Sequence, residues 1–218
     1  MSDTILTVGA VMYPGFEMLD MFGPLEMFSM LGSTRVAISM VGPTLEPVPT
    51  AIAENVTAGP KVMPDVTMAD APAFDVVLLP GGFGTLPALE NEELLGFLRN
   101  QAESARVVAS VCTGSVLLAR AGLLDGRRAT SNKQLFALAT NEQAPVTWVE
   151  EARWVEDGPV FTSSGVSAGT DMALAIIEQL FDTATAEQAA NASEYTWHRD
   201  KDNDPFASHL NELAALLG

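Results

Sequence analysis

Three short apolar runs stand out along the chain, and each ends in a turn signal. Residues 5–12 are broken by Tyr13-Pro14-Gly15. Residues 75–79, with Val76-Val77-Leu78-Leu79, stop at Pro80-Gly81-Gly82, and residues 107–111 run into Cys112-Thr113-Gly114. Runs this short, apolar at consecutive positions, predict strands buried on both faces. Residues 35–41 predict a fourth strand, and 148–162 two more around Asp157-Gly158-Pro159. Between the strands the period changes. Leu94, Leu95 and Leu98 share one face of a helix over 91–103. A second helix covers 115–121 and stops at Gly122. Residues 170–181 and 184–192 predict two more. Gly23-Pro24 predicts a helix start, with the helix over 25–31. Short helices are expected over 133–140 and 210–217, and irregular hairpins over 43–72. This alternation predicts an α/β fold, a mostly parallel sheet covered by helices on both faces. Ligands bind such sheets at the carboxyl ends of strands. Gly81-Gly82-Phe83-Gly84 and Cys112-Thr113-Gly114 are therefore expected to converge.

Ser110-Val111-Cys112-Thr113-Gly114 has the small-x-nucleophile-x-Gly spacing of a strand-to-helix elbow. The sharp turn needs small neighbours two residues away on each side, and Ser110 and Gly114 supply them. At a helix start, free N–H groups and the helix dipole favour thiolate over thiol. The N–H of Thr113 is placed to help hold an anion. An inert buried cysteine is the plain alternative. Asp20, set among Met18, Leu19 and Met21, reads equally as a functional acid or as an aspartate bonded to the first N–H groups of a helix. His198 and His209 are expected in surface or structural roles rather than as a catalytic base. The Gly81–Gly84 loop lacks the Lys and Ser/Thr of a P-loop and is not a dinucleotide fingerprint. Its backbone N–H groups are expected to face a ligand.

Composition narrows the classes. The 218 residues are 48% hydrophobic and 18% charged, enough apolar surface for a core and too little charge for a disordered chain. One domain over residues 1–218 is expected. Eleven Lys+Arg against 28 Asp+Glu give a net charge of −17. That opposes nucleic acid and anionic membranes as partners. A single cysteine cannot form an internal disulfide, and with two histidines it makes no metal site. A reducing, cytoplasmic setting follows. The N-terminal apolar stretch is too short for a membrane span and lacks the basic flank of a signal peptide.

The segments around residues 75–82 and 110–115, in that order, resemble the DJ-1/PfpI family, related to class I glutamine amidotransferases. Residues 121–130 and 161–174 extend the likeness, which covers about residues 5–182. The resemblance implies a flavodoxin-like, class I glutamine amidotransferase-like fold with a cysteine nucleophile elbow, no cofactor, a small-molecule substrate and a homodimer. Leu19-Asp20 followed by Gly23-Pro24, with Cys112-Thr113, is similar to the isonitrile-hydrating branch, which turns an isonitrile into an N-substituted formamide. Carried over, Cys112 is the nucleophile, Asp20 its acid/base partner and Thr113 an orienting hydroxyl. The backbone N–H groups of Gly82 and Thr113 line the anion pocket. One departure stands out. Ser131-Asn132-Lys133 replace the Thr, His and Trp of that branch, which points to a different pocket. Glyoxalase-like hydration of 2-oxoaldehydes by the same pair is an alternative, as is a non-catalytic redox-sensing or ligand-binding module. The sensor half of certain transcription regulators shares these motifs. The acidity and the short chain after residue 182 speak against a DNA-binding module here.

Overall fold

The structure, a computed structural model, describes residues 5–217. A seven-stranded sheet forms its centre. In chain order the strands are β1 (Leu6–Val11), β2 (Val36–Gly42), β3 (Val66–Thr67), β4 (Val76–Leu79), β5 (Val107–Ser110), β6 (Trp154–Asp157) and β7 (Val160–Ser163). They lie in the order β6-β7-β5-β4-β1-β2-β3. All neighbours are parallel except the β6–β7 hairpin. Every residue of β4, β5 and β7 is buried, as strands covered on both faces require.

The cover comes from α1 (Met18–Ser29), α2 (Glu92–Ala102), α3 (Gly114–Arg120), α4 (Ala168–Leu180) and α5 (Thr183–Ala192). Helices α1, α4 and α5 pack on one another, and α2 packs with α3 as the second layer. The predicted face of α2 holds: Leu94, Leu95 and Leu98 are buried, and Asn91 caps the helix by accepting the Leu94 N–H at 3.1 Å.

Four local expectations are corrected. Helix α1 starts at Met18, so Pro24 lies inside it rather than at its start. The lost backbone hydrogen bond is offset by burial of Met21, Leu25, Met27 and Phe28. Asp20 thereby falls in the first turn. The segment 43–72 contributes the edge strand β3 and a small antiparallel pair, Val48–Pro49 with Lys61–Val62. The helix expected over 133–140 begins only at Phe136, because Asn132 Oδ1 accepts the Leu135 N–H at 3.0 Å and holds a turn there. Of the strands expected over 148–162, the first begins at Trp154, and Thr147–Trp148 pairs instead with Arg128–Ala129.

Beyond α5 the chain folds back as an arm against the core. Asp171 of α4, fully buried, holds it. Its Oδ2 accepts from Arg153 Nε at 2.7 Å and Nη2 at 2.6 Å. Its Oδ1 accepts from the Tyr195 hydroxyl at 3.1 Å and the His198 N–H at 2.8 Å. Arg153 is itself buried, with Asp204 3.8 Å from its Nη1. A buried pair of this kind is costly to break, because the remaining charge has no water. Asp171→Ala is expected to lower unfolding stability by about 3–5 kcal/mol in equilibrium urea titrations; a loss below ~1 kcal/mol would show that the arm is held by something else.

Candidate active site

Four adjacent parallel strands, β1, β4, β5 and β7, deliver their carboxyl ends to one edge. From them emerge Tyr13 and then α1, the Pro80-Gly81-Gly82 loop, Cys112, and Ser164-Gly165-Val166. The expected convergence of the Gly81 loop and the Cys112 turn is therefore present, and two further segments join it.

Cys112 sits in the left-handed region at φ 60°, unusual for a residue with a side chain and a strain of about 1–2 kcal/mol. Its backbone is over-determined by hydrogen bonds. The N–H is shared between Ser163 O at 3.2 Å and Ser164 O at 3.1 Å. The carbonyl accepts from the hydroxyls of Ser115 at 3.1 Å and Ser131 at 3.2 Å. Close approach explains the glycines. A Cβ on Gly114 would lie 2.7 Å from Leu79 O, and one on Gly81 2.5 Å from Thr113 N.

Thr113 is buried, and its hydroxyl is used within the fold. Tyr13 donates to Pro80 O at 2.8 Å, so its oxygen accepts from Thr85 at 3.1 Å. Thr85 then accepts from Thr113 at 2.8 Å, and Thr113 Oγ1 accepts the Gly82 N–H at 3.0 Å. Each hydroxyl has one proton, and the Tyr13 donation fixes the direction of the chain. Thr113 Oγ1 therefore steadies the Gly82 loop and is not presented to a ligand. The Gly82 N–H, expected to line the anion pocket, is bonded to this hydroxyl. The Thr113 N–H remains directed at Cys112 and favours its thiolate.

Asp20 is fully buried beside Cys112. Its Oδ2 accepts the Gly81 N–H at 2.9 Å, so it bonds to a neighbouring loop rather than to its own helix. Its Oδ1 has no well-directed partner among the described residues. Burial pushes the carboxyl up to about 7, and the charge of Glu17 adds to this against the N–H of Gly81, the Cys112 thiol and the Val166 N–H. The thiol is also raised, well above its usual value, first by burial and then by the charge of Asp20. Three donors oppose this: the Asn132 side chain, the Thr113 N–H and the Val166 N–H. The expected lowering at the helix start is outweighed, because desolvation penalises the charged form more than nearby N–H groups favour it.

Asn132 and Val166 were not legible as site residues. Asn132 Nδ2 donates to Cys112 Sγ at 3.0 Å, and its orientation is fixed because Oδ1 is held by Leu135. Its place in a departing motif was the only signal. Val166, at φ 48°, lies in the small-residue stretch after β7, and only strand-end position hints at it. Lys133 is buried with its Nζ 2.7 Å from both Thr130 Oγ1 and Ala152 O, away from the thiol. His198 and His209 are exposed, bonded to Asn203 O at 3.3 Å and Glu212 at 3.0 Å. Among the described residues no cluster of His, Cys, Asp and Glu has the arrangement of a metal site, and no helix is long and apolar enough to cross a membrane.

Known proteins share this arrangement of chain. Residues 7–179 match the DJ-1/PfpI family. Isonitrile hydratase from Pseudomonas putida is 37% identical over 191 residues, 87% of this chain and 78% of that protein. The HTH-type transcriptional regulator GbdR from Pseudomonas aeruginosa is 34% identical over 75% of this chain, which spans 45% of the regulator. A crystal structure of a ThiJ/PfpI family protein from Pseudomonas syringae superposes with a TM-score of 0.80 at 32% identity, covering 98% of this chain and 87% of that one. With the family match spanning most of the sheet and both segments that meet at Cys112, the chain belongs to the DJ-1/PfpI family.

Proposed function

We propose that this protein hydrates an isonitrile to an N-substituted formamide, with Cys112 as nucleophile and Asp20 as its acid and base. The observation that carries the reading is the buried Asp20–Cys112 pair, with the Asn132 amide on the sulfur and a carboxyl oxygen that has no partner among the described residues. Likeness to isonitrile hydratase supplies the substrate class. A pair this close in a dry site resists holding two negative charges, so the proton belongs to both groups together. The thiol proton passes to the Asp20 carboxylate as the sulfur attacks the terminal isonitrile carbon and forms a C–S bond. Asp20 gives its proton to that carbon, leaving a thioimidate and a carboxylate. The carboxylate then takes a proton from water as the oxygen adds to the same carbon, and returns that proton to nitrogen. Collapse breaks the C–S bond, the hydroxyl proton passes to Asp20, and formamide leaves with the starting site restored.

Glyoxalase-like hydration uses the same pair on an aldehyde. A ligand-binding role is the second reading, favoured by the regulator among the relatives. A net charge of −17 opposes direct contact with nucleic acid. One reduced cysteine suits the cytoplasm. A homodimer through α1 is part of the proposal, since Met18, Leu19 and Phe22 expose apolar side chains there.

Three outcomes are expected. Formamide appears from a small alkyl isonitrile with wild type, is abolished in Cys112→Ala, and falls by about 10²–10⁴-fold in Asp20→Asn. Asp20→Asn at the wild-type rate would remove the acid from the mechanism. The single-proton form of the pair is the reactive one, with Asp20 ready to take the thiol proton, so kcat/KM should rise with pH through about 7, where Asp20 is half deprotonated; a profile flat across this range would contradict it. In sedimentation, Phe22→Glu should turn a dimer into a monomer, and a wild type that is already monomeric would end the dimer proposal.

A further inference from the structure

A cavity of about 260 Å³ is lined by residues that bond to Cys112, though not by Cys112 itself. Asn132, Ser164 and Val166 are among the lining residues. Two of these residues also hold the cysteine: Asn132 on the sulfur and Ser164 on the N–H. The lining also includes Phe206, half exposed and carried by the C-terminal arm. Phe206 lies outside residues 7–179, the part that matches the family.

The backbone of the arm is anchored on both sides of Phe206. Before it, the Asp204 N–H donates to Glu151 O at 2.7 Å, and Asp204 Oδ1 accepts the Phe206 N–H at 2.9 Å. Asp204 also faces buried Arg153, whose carbonyl accepts the Ser164 N–H at 2.8 Å. After it, the Asn211 N–H donates to Lys133 O at 2.8 Å, and Asn211 Oδ1 accepts the Ala137 N–H at 2.6 Å. The wall of the cavity is thus anchored to the same turns that hold the thiol. A space of this size is smaller than a drug-sized pocket, roughly 300–1,000 Å³.

We propose that Phe206 is a specificity-determining residue, its ring limiting the size of the group carried by an electrophile that bonds to Cys112. Small apolar substituents enter and aromatic ones are turned away. The inference rests on Cys112 as the reacting group and not on which electrophile it meets.

The chain has one cysteine, so labelling is unambiguous. N-methylmaleimide and N-benzylmaleimide share one reactive ring and differ only in the substituent. Each forms an S–C bond as its C=C bond is consumed and the neighbouring carbon takes a proton. Their rates on the intact protein, normalised to a small free thiol, should differ by about tenfold or more in favour of methyl, the scale on which closed apolar pockets discriminate by size. Phe206→Ala should lower that ratio and Phe206→Trp raise it. Opposite signs cannot come from a general loosening. The same ratio in all three proteins, a wild type without discrimination, or no labelling of Cys112 by either reagent would overturn the proposal. The formamide assay run alongside separates the two claims: a ratio that moves without formamide removes the isonitrile reading alone, and formamide with an unmoved ratio removes Phe206 alone.

Discussion

A dry site with room for one negative charge between two acidic groups is the constraint on which this molecule turns. Asp20 and Cys112 both lie out of water, and burial raises both. Each would repel the other's charge. The donors around them are divided accordingly: the Gly81 N–H serves the carboxyl, and the Asn132 amide serves the sulfur. What the protein controls is where one proton sits.

Much of the architecture supports that control. The sheet brings four strand ends together, and the elbow holds Cys112 at a backbone angle it would not choose. The strain is small beside the four hydrogen bonds that fix the residue, two on its N–H and two on its carbonyl. The Tyr13–Thr85–Thr113 chain then ties the Gly82 loop to the residue following the nucleophile. Burial also raises the Tyr13 phenol, which keeps it a donor at the head of that chain. The arm reaches the same place from outside through Arg153 and Ser164. Stability and site geometry are therefore carried by the same contacts.

The buried strands and their order of chemistry were legible because an apolar run ended by a turn signal has few other readings. Cys112 was legible because an elbow restricts its neighbours to small residues. Helix α1 was misplaced because Pro24 is a strong local signal, and only the packing of α1 against α4 overrides it. The use of Thr113 could not be read from spacing, since its hydroxyl is claimed by Thr85, 28 positions away in the chain. Asn132 was visible only as a departure, because its role depends on a turn that Leu135 closes. Phe206 gave no signal at all: a half-exposed aromatic near a chain end has no periodicity, and what sets its place is the buried charge network of Arg153, Asp171 and Asp204.

Retention of the Asp20 proton well above the ordinary carboxylate range is the central claim, and infrared difference spectroscopy between wild type and Asp20→Asn reads it directly across a pH titration. The account predicts a protonated-carboxyl band that is present under mildly acidic conditions and half lost near pH about 7. An Asp20 already ionised at about pH 5, in the ordinary carboxylate range, would contradict it.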